Sequence, residues 1–192
     1  GAATARGIVW EGQCQNQEFS GAGTQLTVSG STVSPTEYTE FTTVAGASFR
    51  DNANVQTNAL RYNASNGAAI RGTGASALTV QVNESYSKIS KLQITATGSD
   101  SRGIYVDSLN SVFEFLVVEG TYTSAVSSNG VIGIFNDITV KNTVVIQRAS
   151  GASHIVGTGD FSPNFYNCTF AAADDLATAP TSVFLSGASG TV

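Results

Sequence analysis

The sequence predicts an all-β chain folded as a right-handed parallel β-helix, a solenoid of about five coils. Three observations predict it. An apolar pattern returns at a nearly fixed period, the segments between its copies are short and β-branched, and helical periodicity is almost absent. The pattern reads Ile89-Ser90-Lys91-Leu92-Gln93-Ile94. It returns from Phe113 to Val118, from Val140 to Val145 and from Phe165 to Phe170, with steps of 24, 27 and 25 residues between first members. Such a period marks a repeat protein, in which each unit buries its apolar face by stacking on a neighbour. Stacked in register, Ile94, Val118, Val145 and Phe170 form one internal column. About five coils at about 4.8 Å each give a rod of roughly 25 Å.

The elements follow in order. Ile8-Val9-Trp10, Leu26-Thr27-Val28 and the run Phe41 to Val44 are short strands bounded by Gly, Ser and Pro turns. Trp10, the single tryptophan, reads as a core residue or a plug at the end of a coil. Residues 45–66 break the rhythm with two arginines, an Asp, several Asn and two aromatics. A loop of that length inside a compact domain carries function or disorder. Lead strands then recur around Ile70, Ile104, Ile132, Ile155 and Val183, giving coils of 34, 28, 23 and 28 residues. Leu78 to Val82 reads as an added strand in the second coil. Only Ala171 to Ala177 offers a helical turn or two. Leucine-rich and ankyrin repeats need more helix than that, so two or three strands per coil point to the parallel β-helix. The whole chain, 1–192, reads as a single domain. Asn142 and Asn167 occupy matching pattern positions, where their side chains bond to each other along the axis.

Composition narrows the function. Charged residues make up 12% of the chain, against about 25% in ordinary soluble domains, so Ser, Thr, Asn and Gly cover the surface. A net charge of −5 provides no basic stripe for a nucleic-acid backbone. No apolar run approaches the about 20 residues of a membrane helix. Cys14 and Cys168 lie coils apart, too far for a bridge, and read as buried small residues. The single histidine, His154, has no Cys or His at metal spacing, and no cofactor is expected. The acidic candidates are Asp107, Asp137 and Asp160, each just after a lead strand and so open to stacking in a column. Paired carboxylates hydrolyse glycosidic bonds, and carboxylates with carbonyls hold calcium. Asp is also a favoured turn residue, and no aligned aromatic platform or base accompanies these three. Contact with a partner is expected of the excursion, through Arg50, Asp51, Arg61 and Tyr62, because Arg and Tyr make the best interface anchors. The competing reading has Phe49 and Leu60 folding the excursion back as a cap.

Gly46-Ala47-Ser48-Phe49-Arg50 with its Asn-rich sequel, the run from Tyr86 to Ile94 and the run from Asn164 to Phe170 resemble right-handed parallel β-helix proteins of tailed bacteriophages and prophages. The resemblance spans most of the chain and rests on β-helix grammar. It implies a virion location and a head or tail appendage, decoration protein, fibre or spike. It further implies protein subunits as partners, a homo-oligomer such as a trimer, and contact with surface glycans. It carries over no catalytic residue. A polysaccharide-degrading lyase or glycosidase and a secreted carbohydrate-binding adhesin remain open as alternatives. Family members extend beyond both ends of the stretch seen here. With the lack of any Met and the strand-like ending at Val192, this gives the expectation of a longer gene product.

Overall fold

The computed structural model describes residues 7–52, 61–121, 130–148, 154–159, 161–172 and 182–186. Each coil contributes three strands. The first holds β1 (Gly7–Cys14), β2 (Glu18–Gly21) and β3 (Leu26–Val28). The second holds β4 (Glu37–Thr43), β5 (Ala69–Gly72) and β6 (Leu78–Val82). The third holds β7 (Ser87–Ser90), β8 (Gln93–Ala96) and β9 (Arg102–Val106). The fourth holds β10 (Val112–Glu114), β11 (Val117–Gly120) and β12 (Ile132–Ile134). The fifth holds β13 (Thr139–Lys141), β14 (Val144–Gln147) and β15 (His154–Gly159). The sixth rung holds β16 (Asn164–Tyr166), β17 (Thr169–Ala172) and β18 (Ser182–Ser186). First, second and third strands stack separately into three six-stranded parallel sheets, here A, B and C. From β1 to β16 the chain makes five full turns, so the fold is the expected parallel β-solenoid.

Register follows the apolar pattern. In sheet A, Phe41, Ile89, Phe113, Val140 and Phe165 are cross-strand neighbours. In sheet B, Ile94, Val118, Val145 and Phe170 pair in succession, as the pattern predicts. The first three are fully buried and Phe170 is half-buried. Leu92 and Leu116, each between the two columns of its coil, are buried at the A/B corner. Trp10 plugs the end of the sheet A column. Its ring stacks on Phe41 at 6.2 Å and 14° and stays 49% exposed. Gly12, paired with Phe41, leaves room for both rings.

The lead strands need correction. β5 belongs to sheet B, where Ile70 pairs with Phe19 and Ile94. The strand taken as an addition, β6, is the sheet C strand, with Val80 beside Ile104. The sheet C series therefore runs Val80, Ile104, Ile132, Val156, Phe184, with steps of 24, 28, 24 and 28. Val156 and Phe184 replace the expected Ile155 and Val183. Ile155 and Val156 are both buried, so apolar identity alone does not select between them. Ala171 and Ala172 close strand β17 rather than starting a helix, and 173–177 lie outside the described residues.

The described helical segments both fall in the 45–66 excursion: α1 (Phe49–Asn52) and a 3-10 turn (Ala64–Asn66). No described helix is long and apolar enough to cross a membrane.

Candidate functional site

The excursion is an insertion at one corner. In the third coil, sheet A passes to sheet B through Lys91 and Leu92, in the fourth through Phe115 and Leu116, in the fifth through Asn142 and Thr143. In the second coil the same corner runs from Val44 to Ala68. Its base is pinched shut by the Ala68 amide donating to the Ala47 carbonyl at 2.7 Å. Gly67 permits this approach. It sits at φ 127°, and a Cβ there would meet the Phe49 nitrogen at 2.5 Å. Phe49 is buried beneath. Ser48 and Asp51 form a reciprocal cap for α1: the Arg50 amide donates to Ser48 Oγ at 3.1 Å and the Ser48 amide to Asp51 Oδ2 at 3.2 Å.

The returning limb is clamped across the outer face of sheet B. The Tyr62 amide donates to Glu119 Oε1 at 2.8 Å, and its hydroxyl donates to Glu18 Oε2 at 2.8 Å. Arg71 holds the same Glu18 oxygen at 3.0 Å and lies 5.5 Å from the Tyr62 ring centre. Gln93 grips the Asn63 backbone twice. Its Oε1 accepts from the Asn63 amide at 2.9 Å, and its Nε2 donates to the Asn63 carbonyl at 3.0 Å. These contacts span the first four coils. They leave Gln93, Val117 and Glu119 buried on a face that alternation would otherwise turn to water. Burial pushes the Tyr62 phenol well above the ordinary tyrosine range, and the hydrogen bond to Glu18 adds to this.

Beside the pinch lies a cleft of about 490 Å³, lined by 43–46, Ser48, Arg50, Asp51 and Lys91. The Arg50 guanidinium carbon sits 3.9 Å from the Phe115 ring centre. Phe115 has φ 54°, the left-handed region where a bulky side chain is strained. It belongs to a column of left-handed corner residues: Lys91 at 63°, Phe115, Asn142 at 51° and Asn167 at 50°. Asn tolerates that conformation, and Asn167 Nδ2 donates to Asn142 Oδ1 at 3.4 Å, the expected ladder. The ladder gives way to Phe and Lys where the excursion's Arg50 comes down.

The outer face of sheet A carries a zigzag of charge. Lys88 Nζ binds Glu40 at 3.2 Å and Glu114 at 2.9 Å, and Lys141 binds the other Glu114 oxygen at 2.9 Å. Burial alone would raise the Glu114 carboxyl, but the hydrogen bonds and charges of Lys88 and Lys141 outweigh it and hold the group below the ordinary glutamate value. Burial alone would lower Lys88, but Glu114 and Glu40 hold it above the ordinary lysine value. Next to the zigzag, Pro35, Tyr38, Tyr86, Lys88, Asn110 and Val112 line a shallow cleft of about 230 Å³.

No family model, curated protein or solved structure matches the chain.

The predicted site residues divide. Arg50 and Asp51 come together at the corner cleft, both exposed. Tyr62 is half-buried in the clamp, and Arg61 beside it is exposed. Leu60 lies outside the described residues, as does Asp160. Asp107 and Asp137 do not share a register position. Val106 pairs with Ile134, so Asp107 stands level with Phe135, and Asp137 is two residues further on. Asp107 accepts from Asn136 Nδ2 at 3.0 Å, whereas Asp137 accepts from the Ser162 amide at 3.0 Å. Among the described residues no group of three His, Cys, Asp or Glu side chains is placed to hold a metal. Both thiols are free. Burial pushes Cys14 up to about 11 and also raises Cys168, which is half-buried rather than buried as expected. Lys91, which completes the corner cleft, escaped the sequence reading. Its signal is its place in the pattern position that Asn142 and Asn167 hold in later coils.

Proposed function

We propose that the chain is a structural component of a tailed-phage-type virion, a head or tail appendage that contacts protein subunits through the excursion. One observation carries this reading. A regular rod has one elaborated corner, and that corner is clamped onto four successive coils by Tyr62, Asn63 and Gln93. A contact face held this rigidly meets a partner with little loss of conformational freedom. The sequence resemblance to phage β-helix proteins supplies the setting, an extracellular particle in which such rods assemble as homo-oligomers. Quantitative peptide mass spectrometry of particles purified from a culture producing the chain tests it. A fixed copy number per particle is expected, and absence of the chain from purified particles overturns the proposal.

A second reading has its own support in the shallow cleft on sheet A. Tyr38 and Tyr86 beside Lys88 and Asn110 make an amphipathic surface of the kind that contacts sugar rings. In this reading the rod binds or degrades a polysaccharide. Release of reducing or unsaturated ends from a glycan panel would favour the enzymatic form. Retention on immobilised glycan without release would favour the binding form.

A further inference from the structure

Four cations on the described surface already have carboxylates. Lys88 and Lys141 share Glu114, Arg71 holds Glu18, and Arg148 approaches Glu119 at 3.4 Å. Arg50 and Lys91 differ. Among the described residues no carboxylate lies within ion-pair distance of either. Both line the corner cleft, and both are exposed. Two unneutralised cations on one small cleft, in a molecule of net charge −5, form a local site for negative charge. The Phe115 ring lies 3.9 Å from the Arg50 guanidinium carbon, a cation–π contact that holds the head of the side chain at the cleft, and a guanidinium fork suits a planar acceptor. The ring is held there at the expense of a left-handed backbone that the two following coils give to Asn.

We propose that this cleft binds a carboxylate from an acidic segment of a protein partner, with Arg50 as the bidentate anchor and Lys91 as the second cation. The proposal rests on the reading of the chain as an assembly component and names the chemistry that its contact face selects. The lining favours a monoanion. Asp51 sits at the rim, so the two cations and one carboxylate leave a single positive charge, which a carboxylate neutralises and a phosphate dianion exceeds. It also favours a peptide over a sugar. The rim is the stretch 43–46 where the chain leaves β4, and among the described residues no aromatic face lines the cleft for a sugar ring to stack on. Sister copies of this chain carry fourteen acidic residues against nine basic ones and so offer suitable carboxylates themselves.

The test measures binding of the purified chain to an immobilised decapeptide of glutamates, with a glutamine decapeptide and an oligogalacturonate as comparators. Binding to the glutamate peptide is expected to be the strongest of the three and to weaken as salt rises. Arg50→Ala and Lys91→Ala are each expected to weaken it about fivefold. Arg50→Lys keeps the charge but loses the fork, so it falls between wild type and Arg50→Ala. Arg148→Ala, which removes the same charge on another face, leaves binding unchanged. Urea midpoints for all four variants confirm that each remains folded. Equal binding by wild type and Arg50→Ala, no binding by wild type, or preference for the oligogalacturonate each overturns the proposal. Peptide binding by a chain missing from purified particles overturns the assembly reading and leaves the cleft assignment standing. A fixed copy number without peptide binding does the reverse.

Discussion

Two phenylalanines two positions apart on the same turn of chain do opposite work. Phe113 points inward, is 1% exposed and stacks between Ile89 and Val140. Phe115 stands at the corner on a strained backbone with Arg50 over its ring. Phe113→Ala is expected to cost about 3–5 kcal/mol, as a cavity left in a packed core does. Phe115→Asn exchanges a half-buried ring for a residue suited to the left-handed region, so it should stay within about 1 kcal/mol of wild type. Urea unfolding of both variants checks the pair, and a loss at Phe115→Asn as large as that at Phe113→Ala would contradict it. Phe113 was legible in the sequence because inward positions repeat. Phe115 was not, since the pattern marks its position only as a spacer, and its partner comes from a segment more than sixty residues earlier.

At the scale of elements, the excursion and the sheet A zigzag each make a prediction. Gln93 gives both ends of its amide to the Asn63 backbone. Gln93→Leu leaves the Asn63 amide without its partner and the Asn63 carbonyl with the Asn66 amide alone, and should cost about 1–2 kcal/mol. Faster hydrogen exchange at the Asn63 amide would localise the loss to the clamp. Glu114 makes a prediction in pH. Its carboxyl is held below its unfolded value, so its contribution to stability is full above the ordinary glutamate pKa of about 4.3 and fades as pH falls through the lower folded value. Urea midpoints between about pH 7 and pH 2 should therefore fall less steeply for Glu114→Gln than for wild type. Lys88 behaves oppositely. Its raised pKa makes its contribution complete below the ordinary lysine value and lost as pH climbs through the higher folded one.

At the scale of the molecule, stacking is nearly one-dimensional, so protection should be highest where a coil has neighbours on both sides. Along the sheet B column, exposure falls from Phe19 at 48% to zero at Ile94, Val118 and Val145, then rises at Phe170. Hydrogen exchange is expected to follow this order, slowest in β8, β11 and β14. Uniform protection from β2 to β17 would contradict it. The sequence carried this axis plainly, because the two-residue corner locks the spacing between Ile89 and Ile94 and repeats it in the next three rungs. It misplaced β5 for a physical reason. The excursion separates β4 from β5, so the corner spacing that identifies sheet B is missing in that coil, and a short apolar strand after a polar turn looks alike in every sheet. The corner cleft was half legible. Arg50 and Asp51 stood out as charges in a poorly charged chain, while Lys91 is brought to them only by the stacking of the third coil on the second.

The corner that admits the excursion has a wider consequence. On either side of it the ladders hold their register, Phe41 beside Ile89 and Ile70 beside Ile94, although one coil spends a long detour where the others spend two or three residues. The frame is therefore indifferent to what is plugged into the socket. Closing a longer loop adds entropy cost only logarithmically, and the pinch between Ala47 and Ala68 returns the chain to the point it left. If the proposed contact holds, recognition and scaffolding are written in separate stretches of the same chain. A lineage built on such a rod can rewrite that single corner, and with it the proposed contact, and leave every rung untouched.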